Sequence, residues 1–581
     1  MTVVRTVTVA RNPILPGCYP DPSICRVGDW YYLVCSTFEY LPGLPVMRSR
    51  DLASWETVGH VIDREGMLDF GGIRSSGGLY APTIRHDGER FWVVCTLVDQ
   101  NDDERGGNFL CFADDAAGPW SDPVWIDERG IDPSLFFDDD GRVWVHGTRL
   151  VEKERAGWHD QTEVWVRELD RDSLRLTGPE HVVWNGAVTG AVWAEGPHLY
   201  KVDGVYYLLA AEAGTEFHHA ISVARADTVT GPYTGSKGNP ILTHRHLGRA
   251  HPVVGVGHAD LVQTPTGDWF AVLLAMRTYG GYHYPLGRET FLVPVVWEDG
   301  WPVLAPGVGM VPDEVEVPGR GEPGGSGPDR SRPGGDEPAA AGSAAGWNPA
   351  ASPGVVGPDD ARWTALRTLP TSVATPDGDG WHLSVRSESL TEPATPAFVG
   401  VRQQHRDVDV LVRLDVTGLR PGERAGLVLR QSEKDHVTLD VTPTAEGYAV
   451  RAVRRSGGED GTRSPGRADG ETAVATGSAP GVVPGVEEVL GETTVAPQGG
   501  VVVLGLRGRG VDYELFVEEG GTGASSGAAR AARQAVATAD ARWLDTVTTG
   551  GFLGLWIGVF ATSDGGPAAG SVRARLEYHP A

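Results

Sequence analysis

Cysteine is scarce in this chain of 581 residues. There are 5, at Cys18, Cys25, Cys35, Cys95 and Cys111, all in the first fifth. The count is odd, and no Cys-x-x-Cys pair or Cys/His spacing suits a metal, which argues against a disulfide framework and a zinc site. Cys25 and Cys35 lie in apolar, strand-like runs and read as buried free thiols. Positive charge is also short. Lys and Arg total 50 against 77 Asp and Glu, for a formal net charge of -27. Such a surface repels phosphate backbones and anionic lipid, so neither nucleic acid nor a membrane surface is the expected partner. No run of eighteen apolar residues occurs. The N-terminus, Met1-Thr-Val-Val-Arg-Thr-Val, lacks the basic, apolar and small-residue segments of a signal peptide. The cytoplasm is therefore the expected location. Long amphipathic helical stretches are hard to find.

Glycine (79), proline (41) and tryptophan (18) are abundant. Many turns and little helical pattern point to an all-β protein. The length exceeds one compact core, so two domains are expected. Trp and Tyr offer flat apolar faces with polar tips, which suit a neutral ligand such as a sugar ring, although most of them belong in the core.

One pattern recurs: Pro after a small or acidic residue, a short apolar run, an Asp/Gly turn, then an aromatic-rich strand. It is seen in Tyr19-Pro-Asp-Pro-Ser-Ile, Tyr80-Ala-Pro-Thr-Ile, Ile131-Asp-Pro-Ser-Leu and Glu195-Gly-Pro-His-Leu, and more weakly in Gly257-His-Ala-Asp-Leu. Each copy reads as a β-hairpin. Anchored on Pro22, Pro82, Pro133, Pro197 and Ala259, the spacings are roughly 60, 51, 64 and 62 residues, the period and strand content of propeller blades. Five copies predict a five-bladed β-propeller over residues 1–312. Residues 313–360 are rich in Gly, Pro and Ala and read as a flexible linker. Alternating runs such as Val408-Asp-Val-Leu-Val-Arg-Leu then predict a β-sandwich, jelly-roll-like, over 361–581. A low-complexity stretch at about 455–495 reads as a flexible insertion within it.

The first strand of each propeller blade lines the central axis, so residues at its start converge. Asp21 and Asp132 each precede the repeat's Pro, and Glu195 stands two residues before Pro197. Three blades thus aim a carboxylate at one end of the axis. Cleavage of a glycosidic bond needs one ionised carboxylate to activate water and one protonated carboxyl to donate to the leaving oxygen. A third charge nearby raises the acid's pKa. The other use of an oxygen-rich cluster is a Ca²⁺ ion on the axis.

At these residues the chain resembles family 43 of the glycoside hydrolases, in its β-xylosidase/α-L-arabinofuranosidase branch. The resemblance rests on Asn12-Pro-Ile-Leu-Pro-Gly-Cys-Tyr-Pro-Asp-Pro-Ser, Ser36-Thr-Phe-Glu-Tyr and Ser76-Gly-Gly-Leu-Tyr-Ala-Pro. It continues through Gly130-Ile-Asp-Pro-Ser-Leu-Phe, Glu195-Gly-Pro-His-Leu-Tyr, Gly257-His-Ala-Asp and Gly287-Arg-Glu-Thr. It implies an inverting, exo-acting enzyme that releases xylose from β-1,4-xylooligosaccharides, with α-L-arabinofuranosidase as a side activity and no required cofactor. Asp21 is then the general base and Glu195 the general acid, with Asp132 orienting Glu195 and raising its pKa. Arg288 would bind sugar hydroxyls. His258 would lie near the axis beside Asp132 or a central ion or water. Phe38 and Tyr80 would wall the sugar ring, with Arg74 and Ser76 beside them; the family usually has Trp where Tyr80 stands. Phe552 would reach over the pocket from the second domain and admit only a chain end. The resemblance also implies a dimer or tetramer. Two other readings compete: a hydrolase of the fructosidase clan, whose first motif is typically Asn-Asp-Pro-Asn-Gly, and a non-catalytic sugar-binding protein.

Overall fold

The computed structural model describes residues 7–102, 105–187, 190, 192–319, 354–457, 485–519 and 532–581. Two four-residue α-helices, Pro370–Val373 and Thr546–Thr549, are the only α-helices among them.

Five four-stranded antiparallel sheets follow one another along the first half of the chain, each built from contiguous sequence. Blade 1 opens with Ser23–Val27, blade 2 with Gly78–His86, blade 3 with Ile131–Phe137, blade 4 with Glu195–Val202 and blade 5 with Val253–Gln263. These first strands touch in that order and blade 5 touches blade 1, so the sheets close a ring around an axis. The period of 2 along each strand explains the packing. Alternate side chains of a blade enter the cores it shares with its two neighbours. Phe136 and Trp144 of blade 3 pack toward Leu199 and Leu208 of blade 4, while Leu135 and Val145 pack toward Trp92 and Leu110 of blade 2. The last junction buries Leu33 and Met47 of blade 1 against Phe270 and Leu292 of blade 5.

The ring is closed by the chain ends of the propeller. Val7–Arg11 pairs with Glu314–Pro318. The Asn12 side chain donates to the carbonyls of Leu292 and Pro312 and accepts the Leu292 N–H, each at 2.8 Å. The second half is a sandwich of an eight-stranded and a six-stranded sheet around one apolar core.

Two of the sequence expectations change at their edges. The stretch read as a linker over 313–360 begins in the strand Glu314–Pro318, whose Val315 and Val317 are buried at the blade 5–blade 1 junction. Its end, Gly354–Val355, pairs with the last strand, Ser571–Pro580. Residues 320–353 lie outside the described residues. The stretch read as an insertion over about 455–495 ends in a strand, Val486–Val495, paired along Gly447–Ser456. It carries little apolar alternation because cross-strand ion pairs hold it: Arg451–Glu492 and Arg455–Glu487 at 3.2 Å and Arg454–Glu488 at 3.8 Å. Residues 458–484 lie outside the described residues. All five cysteines are unpaired, and all but the half-buried Cys25 are buried.

The two domains share a core. Ala365–Leu366 pairs with Tyr40–Leu41 of the propeller. The Tyr40 ring stacks on Trp556 of the sandwich, 3.9 Å between centroids and 3° between planes. Phe38, Cys18, Leu553 and Phe560 belong to the same cluster.

Candidate active site

Asp21, Ala81, Asp132, Gly196 and His258 occupy one repeat position, just before Pro22, Pro82, Pro133, Pro197 and Ala259. All five have left-handed backbone, with φ of 55°, 31°, 55°, 55° and 49°. In blades 2 to 5 the first strand shifts register at this point, as between Ile131 and Ser134 and between Glu195 and His198. A bulge re-aims the side chain it carries, and strained backbone of this kind gathers at functional sites. Glu195 stands one residue before the repeat position of its blade. That position is Gly196, where a Cβ would come within 2.8 Å of the His258 ring. Glycine there removes both the φ penalty and the clash, and its N–H donates to Asp132 Oδ2 at 2.9 Å.

The three carboxylates sit in different surroundings. Asp21 is buried. Its Oδ1 accepts from Arg288 Nη1 at 2.8 Å and its Oδ2 from Ser36 Oγ at 2.6 Å. Asp132 is buried, and its pKa is pushed up to about 6, first by burial and then by the Asp21 charge; His258, the Gly196 N–H and Arg288 pull the other way. Glu195 is partly buried, and its carboxyl is held well above the ordinary carboxylate range, by burial first and then by Asp132 and Asp21. The two raised groups titrate as a pair. The cluster therefore holds a carboxylate paired with a guanidinium beside a carboxyl that keeps its proton, which is the division of labour acid/base chemistry requires.

Around them stands an aromatic wall. Phe38 is buried at φ 54°. It meets Tyr80 edge-on at 5.4 Å between centroids and lies nearly parallel to Phe552 at 6.3 Å. Tyr80 and Phe552 also meet edge-on, at 5.8 Å. The Arg288 guanidinium faces both Phe38 and Phe552, at 5.6 and 5.4 Å. Its Nε–H is buried and has no acceptor among the described residues. Phe552 is 37% exposed and packs on propeller residues, so it is no sandwich-core aromatic. Ser76 Oγ accepts the Phe552 N–H at 2.9 Å, making Ser76 the tether of that loop. Arg74 is exposed, and its carbonyl accepts the Gly77 N–H. Among the described residues, no side-chain bond or ring contact joins Arg74 to the other nine residues singled out in the sequence.

His258 stands 4.0 Å from Asp21 Oδ1 through Nδ1 and meets His198 edge-on. Further down the axis Asp260 is fully buried. It accepts from Arg85, Ser23 Oγ, the Ile24 N–H and the Tyr200 hydroxyl. Ca²⁺ takes six to eight oxygens. The Asp260 oxygens are already committed, with Arg85 supplying the positive charge, so Asp260 has no oxygen to spare for such an ion. Among the described residues no group of three or more His, Cys, Asp or Glu is arranged to hold a metal ion.

Ser36 and Thr215 belong to the site and were not singled out from the sequence. Thr215 Oγ1 accepts from Arg288 Nη1 at 3.2 Å. Ser36 lies inside a recognised motif and faces Asp21 from the end of the next strand, a geometry the hairpin pattern could have suggested. Thr215 sits in a loop with no repeat position, and nothing in its neighbourhood marks it.

Two acids of unequal character at the mouth of a closed propeller, walled by aromatic rings, define a glycoside hydrolase. The chain belongs to family 43 of the glycosyl hydrolases: that family's model matches residues 10–302, and the model of the beta xylosidase C-terminal concanavalin A-like domain matches residues 359–473. It is 42% identical over 447 residues to "Xylosidase/arabinosidase" of Butyrivibrio fibrisolvens, covering 74% of this chain and 80% of that protein. It is 31% identical over 569 residues to "Non-reducing end alpha-L-arabinofuranosidase BoGH43B" of Bacteroides ovatus, covering 96% and 92%. Among solved structures, xylan beta-1,4-xylosidase from Bacillus halodurans superimposes with a TM-score of 0.78 at 29% identity, covering 98% of this chain and 99% of that one. The fructosidase-clan and non-catalytic readings are thereby set aside.

Proposed function

We propose that the chain is an exo-acting β-1,4-xylosidase that removes xylose from the non-reducing ends of xylooligosaccharides with inversion, and that it also accepts α-L-arabinofuranosides. The observation that carries the mechanism is the contrast between Asp21, paired with Arg288, and Glu195, whose proton is retained by burial and by two neighbouring carboxylates. Asp21 takes a proton from water as the water oxygen attacks the anomeric carbon. Glu195 gives its proton to the departing glycosidic oxygen. Asp132 accepts the Gly196 N–H beside Glu195 and keeps the acid's pKa high. Arg288, held on Asp21 between the Phe38 and Phe552 rings, donates to sugar hydroxyls. Exo action is supported by Phe552, which closes one side of the site from the second domain.

The substrate class is supported by the relatives named xylosidase/arabinosidase and by the similar solved xylosidase. The second activity is favoured by the similarity to the Bacteroides arabinofuranosidase. Xylopyranose and arabinofuranose present similar hydroxyls, so one pocket can hold both. Digestion of xylotetraose followed by chromatography tests the reading: xylose and xylotriose should appear first, and an early excess of xylobiose would contradict exo action. Sedimentation should find a dimer or tetramer of the 61.9 kDa chain.

A further inference from the structure

Behind the aromatic wall lies a cluster of four charges that the chemistry does not use. Glu39 comes from the propeller, Arg367 from the segment entering the sandwich, and Arg430 and Glu433 from the sandwich itself. All four are buried, and the charges balance. Arg430 Nη1 donates to the Tyr40 hydroxyl at 2.7 Å and lies 3.4 Å from Glu39, and its Nη2 donates to Ser75 Oγ at 2.9 Å. Glu433 pairs with Arg367 and accepts the Ser75 N–H at 3.1 Å on each oxygen. Arg367 also donates to the carbonyls of Ile73 and Ala394.

Several bonds from this cluster end beside the wall. Glu39 directly follows Phe38, and its Oε2 accepts the Ser76 N–H at 3.2 Å. Ser76 accepts the Phe552 N–H on Oγ, and its carbonyl accepts the Tyr80 hydroxyl. The three rings of the wall are thus each one step from Glu39 or Ser76. Both Phe38 and Ser76 hold left-handed backbone, at φ 54° and 68°, a conformation that persists only where surrounding bonds impose it. Buried ion clusters are weak sources of stability compared with apolar packing, and removing one member leaves an uncompensated charge. A cluster kept under that penalty, joined to one loop pair, has a positional task.

We infer that Arg430, Glu433, Arg367 and Glu39 are positioning residues that set the place of Phe552 and so the pocket's affinity for its sugar, an inference that rests on the proposed xylosidase reading of that pocket. The sandwich then supplies both a ring of the wall and the charges that hold the rest of it.

The test is a double-mutant cycle between Arg430→Lys and Phe552→Ala. Lysine keeps the charge but cannot reach Tyr40, Ser75 and Glu39 together. Arg430→Lys should raise KM for 4-nitrophenyl β-xyloside about five- to tenfold with kcat changed less than about twofold. In the Phe552→Ala background the same change should add less than about twofold. A wild-type KM in Arg430→Lys, or an equal effect in both backgrounds, overturns the inference. Hydrogen exchange of the peptide spanning residues 548–556 reads the tether without turnover: exchange should quicken in Arg430→Lys, and unchanged exchange also overturns it. A wild-type chain without xylosidase activity would defeat the functional reading alone, and exchange would still decide the cluster. If Arg430→Lys does not fold, Ser75→Ala, which removes only the hydroxyl that Arg430 holds, carries the same expectations.

Discussion

Burial disfavours the charged form of a carboxyl, and at Asp132 and Glu195 a neighbouring negative charge adds to that effect. Asp132 titrates at about 6 in the folded protein, above its ordinary 3.8. The folded state therefore binds this proton more tightly than the unfolded chain does. Its contribution to stability is fully present below the unfolded value and is lost as pH rises through 6. Asp132→Asn removes the penalty and keeps an acceptor for the Gly196 N–H. It should raise the melting temperature at pH 7 by a few degrees while lowering kcat roughly 10²- to 10⁴-fold. Glu195 would lose a neighbouring negative charge, so the alkaline limb of the remaining kcat/KM profile should move to lower pH. A limb that stays in place, measured from pH 5 to pH 10, would separate Asp132 from the acid. The carboxylates were legible in the sequence because a repeat gave them one address. Their hydrogen-bond partners were legible only where they shared a motif: Ser36 did, and Thr215 did not. Arg74 stands two residues from Ser76; it is exposed, while Ser76 is buried and holds Phe552.

At the scale of elements, the recurring bulge decides which side chains reach the axis. Five residues at one repeat position share left-handed backbone, and only three of them, Asp21, Asp132 and His258, bring a polar side chain. Glu195 supplies its acid from the residue before, which frees Gly196 for the approach of His258. Gly196→Ala brings both strain and overlap at that point and should destabilise the protein by roughly 2–4 kcal/mol, read from thermal unfolding, with loss of activity. Unchanged stability would mean that the bulge relaxes freely. The hairpins were readable because each pairs an aromatic strand with an Asp/Gly turn. Two of the five outermost strands were not: Val124–Trp125 and Thr234–Gly235 are two residues long and show no alternation. Val486–Val495 escaped for a different reason, since charge pairs hold it at the edge of its sheet.

At the scale of the molecule, the sandwich is part of the active site. It covers Phe38 and Tyr40, contributes Phe552 and carries three of the four buried charges, Arg367 included. A chain ending after residue 319 would expose Glu39, the cluster's one propeller residue, and the Tyr40 face that Trp556 covers. It should aggregate and show no turnover; a monodisperse, active propeller by gel filtration and aryl-xyloside assay would contradict the shared core. The two-domain plan was visible in the sequence as two kinds of strand pattern. Their union was not, because its partners, such as Glu39 and Arg430, stand 391 residues apart and neither belongs to a repeat. The central claim is that Asp21 activates water while Glu195 protonates the leaving oxygen. Proton NMR of 4-nitrophenyl β-xyloside hydrolysis tests it most directly. α-Xylose should appear first and mutarotate to the β anomer, and Asp21→Ala and Glu195→Ala chains should release almost none; β-xylose as the first product, or full turnover by either variant, would contradict these roles.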